Sequence, residues 1–114
     1  MLPRVSNFFH GTTSPLPSDD EAALPEEFLT LLDTPQIKIE RIISHAQASP
    51  PDFWYDQPED EWVLVLRGEA TLEFADGGMV DLPVGSHLLI PKHTRHRVER
   101  TTAETIWLAI FFKP

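Results

Sequence analysis

The stretch "WYDQPEDEW", Trp54 to Trp62, gathers Tyr55, Asp56, Gln57, Glu59, Asp60 and Glu61 immediately before an apolar run, "VLVLRG". Carboxylates, an amide and a phenol at the mouth of a buried strand are the groups that acid–base catalysis or ligand capture uses. The plainer alternative is a solvated loop leading into a core strand, with Glu61 paired to Arg95 or Arg97. A second tract, "KHTRHRVER" from Lys92 to Arg100, holds four of the nine basic residues and two of the five histidines, His93 and His96. Exposed ion pairs between the two tracts would contribute roughly 0–1 kcal/mol each. The functional alternative is a basic wall that accepts a carboxylate or phosphate. His10, His45 and His87 read as ordinary polar residues. Of the three tryptophans, Trp54 is the one best placed to line a pocket.

The elements that must position these residues are mostly strands. "IKIERIIS", "EWVLVLRG", "ATLEFADGG", "MVDLPVG", "SHLLIP", "HRVERT" and "ETIWLAIFF" are short, rich in β-branched and aromatic residues, and separated by turn formers such as Asp76-Gly77-Gly78. No helix-period segment interrupts them, so an antiparallel sandwich or jelly-roll barrel from about Ile37 is expected. Alternation then points Glu61, Val63 and Val65 inward and Trp62, Leu64 and Leu66 outward. From the other tract, His96 and Val98 point inward and Arg95 and Arg97 outward. If the first tract is a site rather than a loop, Glu61 and His96 approach each other at one end of the barrel, with Gln57 or Asp56 and His93 nearby. Upstream, residues 10–23 read as an irregular connection. "PEEFLTLLD" is the one helix candidate: Pro25 suits the first helical position, Glu26 and Glu27 the positive end of the dipole, and Phe28, Leu29, Leu31 and Leu32 one apolar face. The expected organisation is an N-terminal extension, residues 1–36, whose short helix Glu26–Leu32 packs outside a barrel domain, residues 37–114.

Composition narrows the function. A chain of 114 residues with 41% apolar residues makes one domain with a real core. A formal net charge of −9 argues against nucleic acid and anionic membrane as partners. The absence of cysteine removes disulfides, thiol catalysis and thiolate metal ligands. No stretch has signal-peptide or membrane-spanning length, so a cytoplasmic location is the expectation. "VLVL" and "IWLAIFF" are apolar on both faces. Because one short helix cannot cover them, a homodimer is expected.

Glu61-x6-Gly68, followed by Gly85-x5-Pro91-x-His93-x2-His96, resembles the two motifs of the cupin family, and the wording from Ile39 onward is similar to small single-domain cupins of uncharacterised function. The resemblance implies an all-β cupin jelly roll. It also implies a metal site, in which Glu61 and His96 match the family's glutamate and second-motif histidine. The first motif's H-x-H pair is missing: its places hold Tyr55 and Gln57, or Trp54 and Asp56, depending on the gap. His93 stands where the second motif has glycine, and Arg100 where it has asparagine. A divalent ion (Fe, Mn, Ni or Zn) would then take Glu61, His96, His93 and Gln57, with Asp56 as the alternate oxygen.

Two readings follow. In one, a divalent-metal cupin acts on a small oxygen-rich molecule by dioxygenation, isomerisation or decarboxylation, with Tyr55 as acid or hydrogen-bond donor. In the other, a metal-free barrel binds a small ligand without catalysis.

Overall fold

The computed structural model describes residues 2–12 and 24–114. All seven segments read as strands are strands: β2 Ile37–Ser44, β3 Asp60–Arg67, β4 Ala70–Phe74, β5 Met79–Leu82, β6 His87–Ile90, β7 His96–Thr101 and β8 Thr105–Phe112, preceded by β1 Glu27–Asp33. They form a five-stranded sheet ordered β1-β2-β8-β3-β6 and a three-stranded sheet ordered β5-β4-β7, with every pairing antiparallel. The core lies between the sheets. Val63 and Val65 of β3, Ala70 and Leu72 of β4, Leu82, Ile90, and Trp107 and Ala109 of β8 are its buried members. The alternation expected of β3 holds, since Glu61, Val63 and Val65 are buried while Trp62, Leu64 and Leu66 are half-buried.

Gly68 makes the turn from β3 to β4 at φ +75°, where a Cβ would lie 2.6 Å from Thr102 Oγ1 and 2.9 Å from Thr105 Cα. Both the left-handed backbone and the close approach require glycine, which gives the Glu61-x6-Gly68 spacing its physical basis.

The expected helix Glu26–Leu32 is not formed: Glu27–Asp33 is strand β1, and no helix occurs among the described residues. β1 pairs with the edge of β2 from Glu27↔Ile43 to Asp33↔Lys38, with a register shift between Thr30 and Leu32. The extra residue of that bulge, Leu31, breaks strict alternation, so the apolar positions mimic a helical stripe. An open sheet edge satisfies the backbone of seven residues more completely than an isolated two-turn helix can. All seven β1 residues remain exposed. Behind β2, the Arg41 guanidinium donates to the carbonyls of Phe8 (2.9 Å) and His10 (2.7 Å), tying the N-terminal arm to the sheet.

Arg97 also departs from expectation. It is buried rather than exposed, because the loop before β3 folds over it. Its Nη2 donates to Ser49 O (2.7 Å), its Nη1 to Glu73 Oε1 (3.0 Å) and to Glu99.

Candidate functional site

Glu61 is the second residue of β3 and His96 the first of β7, and both line one cavity of about 220 Å³. The polar wall of this cavity is Glu26, Glu40, Tyr55, Glu61 and His96. Its apolar wall is Phe28, Ile42, Val63, Leu72, Ile90, Val98, Trp107 and Phe111. The tract that raised the question is therefore divided. Glu61 is 8% exposed and faces the cavity, whereas Asp56 is exposed and Glu59 and Asp60 stay outside the lining.

Local pairing explains the placement. Tyr55 forms a short antiparallel bridge with His96, N–H to O at 2.7 Å and 3.1 Å in the two directions, and their rings stack at 5.4 Å. Two residues along, His93 N–H donates to Gln57 O at 2.7 Å. The loop is thus stitched to the start of β7, which brings the Tyr55 ring over His96. His93 adopts φ +58°, the left-handed turn that glycine supplies in the cupin motif and that histidine tolerates better than most residues. Its exposed ring pairs with Asp56 Oδ1 at 2.8 Å, outside the cavity.

The electrostatics follow from burial. The Glu61 carboxyl is pushed up to about 7, first by loss of water and then by the negative charges of Glu40 and Glu59, with Lys38 opposing. Gln57 Nε2 donates to Glu61 Oε1 at 3.0 Å, and among the described residues no side chain bonds Oε2. Burial lowers the pKa of His96, which keeps it neutral near pH 7. With Nδ1 donating to Thr94 O at 2.8 Å, its Nε2 is left as an acceptor. Burial, followed by Glu26 and Glu61, raises the Tyr55 phenol, so its hydroxyl remains a donor. On the same sheet as Glu61, Trp107 Nε1 donates to Ser44 Oγ (3.1 Å), which donates to Glu26 Oε2 (2.6 Å).

Of the residues expected at the site, Glu61, His96 and Tyr55 come together in the cavity, and Gln57 reaches it only as a donor to Glu61. His93 and Asp56 pair with each other on the surface. Trp54 lies outside the cavity, under Arg95 at 5.8 Å, and Trp107 takes the lining role instead. Nor do the basic residues line it: Arg97 bonds Glu73 and Glu99, and Arg100 bonds Glu69 at 2.9 Å. Sequence reasoning missed Glu26 and Glu40. The signal for Glu40 was its place two residues before Ile42 in an alternating strand.

The donor set does not fit a resident divalent ion. Such a site needs three or four converging nitrogen or oxygen ligands. Among the described residues no three His, Asp or Glu side chains converge in that way, and Gln57 presents its N–H₂ rather than its carbonyl to Glu61.

The cupin-domain family model matches residues 42–111. A crystal structure from Ralstonia eutropha JMP134, described as a putative mannose-6-phosphate isomerase, is 41% identical, with a TM-score of 0.82 over 98% of this chain and 100% of that one. A cupin superfamily protein from Desulfitobacterium hafniense DCB-2 is 18% identical, with a TM-score of 0.69 over 90% of this chain and 94% of that one. Cobalt(II) HppE in complex with Tris buffer is 18% identical, with a TM-score of 0.65 over 76% of this chain and 53% of that one. At 18% the likeness is one of fold. No curated protein matches the sequence.

Proposed function

The chain belongs to the cupin family, and because one architecture hosts many chemistries, we propose from its site that the cavity binds one small oxygen-bearing molecule and exchanges a proton with it, as an isomerase does. One observation carries this reading: Glu61, buried and titrating near 7, shares a cavity with Tyr55 and neutral His96. A carboxyl group poised near the working pH is suited to give and take protons. The step is redox-neutral. A C–H bond beside a carbonyl breaks, its proton passes to the Glu61 carboxylate, and the electron pair remains as an enolate. With a hydroxyl on the first carbon the intermediate is an enediolate, whose oxygen accepts from Tyr55 O–H. Glu61 returns the proton to the former carbonyl carbon while the hydroxyl proton passes to the former carbonyl oxygen, so that carbonyl and hydroxyl exchange places.

The volume supports a single small reactant, since 220 Å³ lies below the 300–1,000 Å³ of pockets for drug-sized ligands. The resemblance over nearly the whole chain to the R. eutropha protein supports an isomerase-type reaction. The likeness to HppE carries the fold alone, and with an incomplete donor set no step here passes through a metal.

Deuterium exchange tests the reading. Small hydroxy-carbonyl compounds incubated with the protein in D₂O are expected to gain deuterium at carbon, read by NMR, with exchange on the order of 10²–10⁴ slower in Glu61→Gln. A compound that binds in the cavity and exchanges equally fast with both proteins would refute it.

A further inference from the structure

We propose that the ligand of this cavity is neutral or cationic, with hydrogen-bond donors at one end and an apolar flank, and that phosphorylated and carboxylate-bearing molecules are excluded. The inference rests on the cavity being the ligand site. Three carboxylates, Glu26, Glu40 and Glu61, line it, and no lysine or arginine does. The nearest cation, Lys38, stands 3.6 Å from Glu40 Oε2 and 4.9 Å over the Phe111 ring, so its charge is already answered by Glu40. With one carboxyl half-protonated at neutral pH, the balance across Glu26, Glu40, Glu61 and Lys38 remains negative.

The acids are held there by specific contacts. The Trp107–Ser44–Glu26 hydrogen bonds fix one carboxylate against the wall. Glu61 is more than nine-tenths buried, and among the described residues only Gln57 bonds it, at Oε1. That leaves Oε2 to accept from a ligand. A ligand hydroxyl or ammonium completes this acceptor, whereas an incoming phosphate would meet three carboxyl groups and no lysine or arginine, with the Tyr55 hydroxyl as its donor. A buried anion that no cation pairs is strongly disfavoured. Beside the acids on the five-stranded sheet, Trp107, Phe111 and Ile42 offer surface for an apolar flank or a sugar face. The cavity thus differs in its charge preference from what the description of the R. eutropha relative names.

Isothermal titration of the full chain with mannose 6-phosphate, mannose and mannosamine tests the assignment. Mannose 6-phosphate is expected to bind on the order of tenfold more weakly than mannose, or without saturation, with mannosamine at least equal to mannose. In Glu40→Gln the discrimination against phosphate should shrink severalfold, and the variant's unchanged far-UV spectrum would show that it folds. Saturable binding of mannose 6-phosphate that is tighter than that of mannose and lost in Glu61→Gln would overturn the charge assignment while leaving the cavity as the site. Ligand affinities indifferent to both substitutions would instead overturn the cavity reading and this inference with it.

Discussion

Replacing Glu61 by glutamine tests the electrostatics of the site without needing a ligand. The carboxyl titrates at 4.5 when free and near 7 in the fold, so the native state holds its proton more tightly than the unfolded chain does. For an acid raised in this way the sign is fixed. Stability is unaffected by the group below about pH 4.5, falls as pH rises, and has lost the full amount once pH passes 7. At about 1.4 kcal/mol per pH unit the loss is about 3 kcal/mol. Near-total burial of Glu61 means that little solvent screening reduces it. Urea unfolding of both proteins at a series of pH values from 4.5 to 8 measures the difference directly. The variant should gain on the wild type by about 3 kcal/mol across that range, with most of the gain between pH 5 and 7. Glutamine keeps the volume and accepts the Gln57 N–H through its carbonyl, so a large offset independent of pH is not expected. Parallel profiles would mean that Glu61 is solvated in the folded protein, and the cavity assignment would fall with it.

Three further outcomes follow. Gly68→Ala should cost about 2 kcal/mol or more in chemical denaturation, because the new Cβ meets the Thr105 backbone at 2.9 Å and the residue sits at φ +75°; an unchanged midpoint would show that the β3–β4 turn relaxes freely. Elemental analysis of untagged protein should find well below one divalent ion per chain. One equivalent that survives Glu59→Gln and disappears in Glu61→Gln would show that ligands converge there after all. Finally, β1 leaves Phe28 58% and Leu32 46% exposed on its opposite faces, which predicts self-association along this edge. Sedimentation at micromolar concentration should give twice the 13.0 kDa chain mass, shifting toward monomer in Leu32→Asp. A purely monomeric wild type would refute it.

The strands were legible because their periodicity is local. In β3 the alternation Glu61-Val63-Val65 reads directly from residue types, and Gly68 marks its end. Glu61 and His96 could be paired because each heads a strand whose inward register is fixed by the valines that follow. β1 was illegible for the opposite reason. Pro25, two glutamates and an apolar pattern compressed by one bulge residue satisfy every local helix rule, and only the free edge of β2 decides for strand. Arg97 was misread because its cover, Ser49, lies 48 residues away and reaches it through the fold. His93 is a turn residue with a ligand's side chain. Chemistry alone suggested coordination, whereas the left-handed backbone aims its ring at Asp56. Glu26 and Glu40 escaped notice because a cavity wall is assembled from strands whose facing can be judged only after the sheet order is known.

The placement of Trp107 gives the protein an optical handle on its own cavity. Its indole is 5% exposed and lines the cavity, while Trp54 and Trp62 are only half-buried. An aqueous iodide quencher should therefore extinguish the emission of the latter two and leave a residual, blue-shifted band from Trp107. A ligand entering the cavity beside Trp107 and the carboxylates would perturb that residual band alone. Because the Nε1–H is already committed to Ser44, the change would report contact with the ring face rather than a new hydrogen bond. Compounds could then be screened in native, unlabelled protein by watching a single buried chromophore.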